Sequence, residues 1–175
     1  MLRDPETLSF AVREERPGDV VAIDEVTREA FRDHPFSRQT EHRIVRGLRE
    51  AGALSLSLVA VRDGLVVGHV AFSPVVIGGL EATWWGLGPL SVAPSVQRIG
   101  VGSALVRGGL RRLAERAVAG CVVLGDPRYY GRFGFAPREG LVCPGAPPDH
   151  FMAVIRSGDA PVGEVAFHPA FSLRP

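Results

Sequence analysis

The stretch Leu90-Ser91-Val92-Ala93-Pro94-Ser95-Val96-Gln97-Arg98-Ile99-Gly100-Val101-Gly102-Ser103-Ala104-Leu105 compresses a strand end, a tight loop and a helix start into one short passage. Glycines in the first turn of a helix let a ligand approach bare backbone. The N–H groups left unpaired there carry the positive end of the helix dipole. The chain has no lysine, so a Walker phosphate loop, which needs its Lys, and Schiff-base chemistry are both excluded. A backbone turn is how a lysine-free protein holds a diphosphate. Residues 98 to 132 also carry seven arginines against Glu115 and Asp126, which concentrates the attraction for anions here.

Outward from this stretch the elements alternate. Upstream, Phe10-Ala11-Val12-Arg13 predicts a short strand, and Pro17-Gly18-Asp19 opens a helix with Val20, Ile23, Val26, Ala30 and Phe31 on one face. His34-Pro35-Phe36 breaks that helix, and a second is expected over Thr40 to Ala51, stopped by Gly52. Leu56 to Val61 and Leu65 to Phe72 read as strands around the hairpin signal Arg62-Asp63-Gly64. Gly78-Gly79 leads into a strand over Ala82 to Val92, interrupted by Gly86, Gly88 and Pro89. Downstream, Gly100 to Ala119 predicts the longest helix, with Val106, Leu110, Leu113, Ala114 and Ala117 facing inward. Cys121 to Leu124 has the apolar run of a buried strand. Tyr129 to Phe133 predicts a brief helix, and Phe151 to Ile155 and Gly163 to His168 closing strands. An antiparallel meander followed by helix and buried strand predicts one mixed α+β domain over residues 1–175.

Composition narrows the class. The 175 residues are 46% apolar and 22% charged, enough for a proper core. A net charge of +1 argues against a partner in nucleic acid or acidic lipid. The start Met1-Leu2-Arg3-Asp4-Pro5-Glu6 lacks the pattern of a signal peptide, and no apolar run approaches the ~20 residues of a membrane span. Two cysteines make no disulfide framework and point to a reducing compartment, so a cytoplasmic location is expected. The five histidines are scattered, with no metal-ligand spacing, and no G-x-S-x-G marks a hydrolase.

Three readings of the glycine turn compete. A dinucleotide turn wants G-x-G-x-x-G directly after the strand, but position 105 is Leu and the first glycine comes late. An ordinary helix start would use the glycines for close packing. The third is more specific: Gln97, Gly100 and Gly102 fill the [Gln/Arg]-x-x-Gly-x-[Gly/Ala] positions, and Tyr130-Gly131-Arg132-Phe133-Gly134-Phe135 follows with a Tyr-x-x-x-Gly-Phe pattern. Together with Leu124-Gly125-Asp126-Pro127 upstream of it, the chain resembles the GCN5-related N-acetyltransferases, in their branch of YhbS-type predicted acetyltransferases. The likeness spans essentially the whole chain, with residues 1–55 and 140–175 matching only in element order.

The resemblance implies a mostly antiparallel central sheet, splayed where coenzyme binds and flanked by helices. It implies acetyl-CoA as co-substrate and an amine acceptor. The diphosphate would lie on Gln97, Arg98, Ile99, Gly100, Val101, Gly102, Ser103 and Ala104. Leu90, Ser91 and Val92 would line the pantetheine arm, with the Leu90 N–H as oxyanion donor. Tyr130 would protonate the departing thiolate. Asp126 stands where many relatives carry a pantetheine-binding Asn. Gly88-Pro89 fits the bulge that frees backbone for the arm, since Pro is tolerated within a sheet mainly at edges and bulges. Some relatives use a strand Glu as general base, and Gly86 stands nearest that place; Glu29, Asp33, His34 and Glu81 are the other candidates, or a water chain. Trp84 and Trp85 should face opposite sides of the sheet, and Tyr129 reads as packing. Cys121 and Cys143 read as inert thiols near apolar strands. A homodimer fits the resemblance. The alternative is a non-catalytic acyl-CoA-binding module on the same fold.

Overall fold

Period-two apolar runs separated by turn residues make the meander. The computed structural model describes residues 9–35 and 37–172; Met1 to Glu6 and Phe36 lie outside them. Strand β1 (Ala11–Glu14) pairs antiparallel with β2 (Leu56–Arg62), and β2 with β3 (Leu65–Ile77). The β2–β3 turn places Asp63 and Gly64 at φ of 51° and 78°, the left-handed geometry of a two-residue hairpin whose twist matches its strands. Strand β4 (Leu80–Val92) returns antiparallel to β3. β5 (Gly120–Leu124) lies parallel to β4, and β7 (Phe151–Ile155) antiparallel to β5. The short β6 (Leu141–Val142) pairs parallel with β8 (Gly163–Ala166), which reaches the far end of β3.

Helices cover both faces of this largely antiparallel sheet. On one face α1 (Val20–Phe31) and α2 (Glu41–Glu50) bury Ile23, Ile44, Val45 and Leu48 over Val59 and Ala71. On the other, α3 (Val101–Glu115) buries Val101, Leu105, Val106 and Leu113 over Leu58, Val70 and Phe72. Each such side chain contributes about 1.5–3 kcal/mol of hydrophobic stabilisation. A last short helix, α4 (Pro127–Tyr130), continues into a 3-10 turn over Gly131–Phe133. Among the described residues no helix is long and apolar enough to cross a membrane.

Several boundaries differ from expectation. α3 ends at Glu115 rather than Ala119, and Ala114 and Ala117 are exposed rather than inward. The chain stops the helix by taking Ala117 to φ 55°, with the Ala117 and Val118 amides donating back to Ala114 and Leu113. That is a Schellman close built without its usual glycine. Strand β8 ends at Ala166 instead of His168, and the two-residue β6 carried no periodic signal. Trp84 and Trp85 do take opposite faces, the first in the cluster around Phe151 and the second against the α3 core.

Candidate active site

Two irregularities of β4 open the sheet. Gly88 and Pro89 together oppose the single residue Ala71 of β3, because Leu87 pairs with Phe72 and Leu90 with Val70. The extra residue is a β-bulge, and it resets the alternation. Trp85 and Leu87 face α3 before it, and Leu90 and Val92 face α3 after it. On the other edge, β4 pairs with β5 only from Trp84 to Leu87. From Gly88 onward the two parallel strands part, and β4 hydrogen-bonds along β3 alone among the described residues. A wedge with bare strand edge on one side is the result.

At the mouth of the wedge stands the glycine turn. The Gln97 side-chain amide donates to the Val92 carbonyl at 3.1 Å, which ties the loop back to the strand it leaves. Arg98 (φ 66°) and Gly100 (φ 95°) are both left-handed, and alternation of this kind turns successive N–H groups to one side as an anion nest. Gly100 is the N-cap of α3 and places no side chain over the first amides of the helix. The dipole's positive end is therefore open to a ligand.

Side chains expected at the site separate into two groups. Leu90 and Val92 pack against the α3 core, whereas the Ser91 side chain points to the opposite face, where its buried hydroxyl donates to Thr27 Oγ1 at 3.2 Å. Only the backbone of Ser91 can face the wedge. Asp126 is committed locally: its carboxylate caps α4 through the Arg128 amide at 2.8 Å and pairs with the Arg128 guanidinium at 3.0 Å. Those bonds hold its carboxyl below the usual carboxylate range.

Tyr130 sits edge-on to Tyr129 (5.0 Å between ring centroids) and to Phe135 (5.9 Å). Its ring lies so close over Gly125 that a side chain there would collide with it. Burial pushes the Tyr130 hydroxyl well up, with Tyr129 and Cys121 adding to the shift. It is thus a protonated donor throughout the physiological range. The same burial raises the Cys121 thiol, and a half-buried Cys143 is raised too, which suits neither to nucleophilic work.

Tyr129 is the residue that sequence reasoning undervalued. One position along a helical turn sends it elsewhere than Tyr130: its hydroxyl lies near enough to Ser103 to feel that side chain and 2.5 Å from where a Cβ on Gly102 would stand. It packs, and it also touches the glycine turn. The doubled tyrosine was the available signal.

The candidate bases Glu29, Asp33, His34 and Glu81 are all exposed. A side chain at Gly86 would run into Phe167, whose ring lies 2.5 Å from the ideal Cβ position. That face of β4 is closed by the C-terminal segment, with Phe167 and Phe171 tilted together at 5.1 Å.

A model of the acetyltransferase (GNAT) family matches residues 21–135, more than half of the chain and all of the wedge. The chain belongs to the GNAT family. By that membership it is an acetyltransferase. Among GNAT relatives, the uncharacterized N-acetyltransferase YhbS of Escherichia coli K12 is 38% identical over 168 residues, covering 92% of this chain and 98% of YhbS. A GNAT acetyltransferase from Brucella melitensis, solved in complex with acetyl-CoA, is 47% identical and superimposes with a TM-score of 0.84 over 94% of this chain and 99% of its own. Escherichia coli YhbS in complex with CoA gives a TM-score of 0.88 at 36% identity over 99% of this chain and 97% of its own.

Proposed function

We propose that the protein moves an acetyl group from acetyl-CoA to an amine by direct attack. The observation that carries this reading is the wedge: a strand that abandons its neighbour at a bulge, opening beside a helix N-terminus with no side-chain cap. The pantetheine arm fits along residues 88–92 as a surrogate strand, and its diphosphate fits the nest over Gln97 to Ala104. The complexes of the two close relatives with acetyl-CoA and CoA support this placement.

In the reaction the neutral amine nitrogen bonds to the thioester carbonyl carbon and the C–S bond breaks. The Leu90 N–H donates to the oxygen as charge gathers on it, a contribution of about 3 kcal/mol for a well-placed donor. Tyr130 gives its proton to the leaving thiolate, and the amine surrenders its own to water. A donor kept protonated by burial suits that task.

The test is thiol release from acetyl-CoA across a panel of small amines, aminoglycosides, peptide N-termini and protein side chains. Turnover with at least one acceptor is expected. Tyr130→Phe should lower kcat by about 100-fold while acetyl-CoA affinity stays within twofold. Unchanged turnover in that variant removes Tyr130 from the reaction. The second reading, an acyl-CoA-binding module without turnover, is favoured by the closed face at Gly86, where Phe167 stands in place of a side chain that could act as base. Coenzyme binding with a silent panel would establish it.

A further inference from the structure

The narrow end of the wedge lies beneath the C-terminal segment. With the diphosphate on the glycine turn, the pantetheine arm runs back along β4 from Val92 toward Gly88, and the acyl group ends beside Gly88. It can go no further in the plane of the sheet, because β4 and β5 are paired again at Leu87 and Val123. Nor can it turn toward α3, where Trp85, Leu87 and Leu90 pack into the core with Tyr130 and Phe135. The direction left to a longer chain is the opposite face of β4, over Gly88 and Gly86.

The rings on that face leave unequal room above the two glycines. A Cβ at Gly88 would stand 3.8 Å from Phe171 Cε1, an ordinary carbon contact. A Cβ at Gly86 would stand 2.5 Å from Phe167 Cε1 and 2.8 Å from its Cδ1, which is a collision. One methyl-sized group therefore fits over Gly88, and a chain that continues toward Gly86 meets the Phe167 ring.

Both rings are held in place. Phe167 lies edge-on to Phe151 at 6.5 Å between centroids and tilts against Phe171 at 5.1 Å. Phe171 packs in turn into the cluster of Ile23, Val59 and Ala71. The 3-10 turn that carries it, Pro169–Ser172, is tied to His168 twice: the Ala170 N–H donates to His168 Nδ1 at 3.1 Å and the Phe171 N–H to the His168 carbonyl at 2.9 Å. Side chains packed in this way yield poorly to an added methylene.

We infer that Phe167, with Phe171 beside it, sets the size of the acyl group, admitting acetyl and excluding longer chains; this rests on the acetyl-CoA reading above. Acetyl leaves its methyl at Gly88. A butyryl chain would have to enter the space that Phe167 fills, so discrimination comes from a clash with the larger thioester.

The test is the affinity of the full chain for acetyl-, propionyl- and butyryl-CoA by calorimetry, which needs no acceptor. Wild type should bind butyryl-CoA about tenfold more weakly than acetyl-CoA, or about 1.4 kcal/mol, with propionyl-CoA between them. Phe167→Ala should bring butyryl-CoA to within twofold of acetyl-CoA, whose own affinity stays put. The milder Phe167→Leu, which keeps more of the packing, should close about half of the gap. A thermal scan establishes that each variant is folded. Equal wild-type affinity for the three thioesters overturns the inference, and so does a gap that survives in the folded variants. Equal affinities together with an amine KM that rises in Phe167→Leu give the space to the acceptor and overturn it as well. If no thioester binds, the acetyl-CoA reading itself fails, a result distinct from equal binding.

Discussion

The two faces of the sheet are built by different rules. Against α3 the packing is dry and close. Gly109 lets the tip of the buried Phe72 ring come against the helix, and Gly68 admits Val101 and Leu105 from the other side. Between the sheet and α1 and α2 lies a buried polar row, Ser57, His69, Ser73 and Ser91 on the strands and Thr27 on α1. Ser57 gives its one proton to Glu15, so the 2.8 Å contact with His69 is an Nε2–H donating to Ser57. That leaves His69 Nδ1, together with Ser73 Oγ, buried without a partner among the described residues. A buried polar atom left so costs about 1–3 kcal/mol. The α3 face gains stability and presents backbone to a ligand, while the α1/α2 face gives stability up. The contrast teaches that the site draws its precision from the face that carries no fully buried polar row.

The strongest way to break this contrast is Gly109→Val. The new side chain enters the Phe72 ring, and overpacking should cost about 3 kcal/mol, or roughly 10 °C in Tm for a chain of this size. A calorimetric scan within 2 °C of wild type would mean that the face is looser than described. Gly102→Val displaces the Tyr129 hydroxyl and covers the first amides of α3. CoA affinity should fall about 30-fold, roughly 2 kcal/mol, with a smaller loss of stability. Equal affinity would move the diphosphate off the turn.

Acid sharpens the comparison on the polar face. Burial, with Arg49 adding, lowers the His69 pKa to about 3, against about 6.5 when exposed. Below pH 6.5 the unfolded chain takes up a proton that the folded chain refuses. Stability therefore falls as pH drops from about 6.5 toward 3, by up to about 1.4 kcal/mol per unit. Urea unfolding should show wild type losing about 2 kcal/mol more than His69→Gln between pH 6.5 and 5. Parallel curves would show that the imidazole is not held neutral. The smallest effect belongs to the edge of the sheet. Asp19 is lowered to about 2 by its bond to Arg13 and the Arg16 amide. That stability is present above about pH 4 and vanishes as pH falls through 2. Asp19→Asn should cost on the order of 1–2 kcal/mol at pH 7 and almost nothing near pH 2. A cost that persists in acid would point to packing instead of charge.

Legibility in the sequence followed the range of the interaction. Asp63-Gly64, Gly78-Gly79 and the α1 and α2 stripes act over a few residues, and their elements fell where expected. Ala117 escaped because a left-handed alanine is stabilised by bonds its own sequence does not advertise. Ser91 lay in the right strand, but its hydroxyl faces Thr27, a residue far away in the chain. Asp126 followed a relative's Asn by position, while the nearby Arg128 claims it.

By itself the sequence determined the order of elements, the lysine-free glycine turn, and the Gln97-to-Gly102 and Tyr130-to-Phe135 motifs, all of which depend on local backbone preference and spacing. The parting of β4 from β5 after Leu87, the reach of Tyr129 to Ser103 and the seating of Phe167 over Gly86 were decided only by the tertiary structure. The reason is physical: each depends on which distant groups the fold brings within hydrogen-bond or van der Waals range, and no local propensity encodes that.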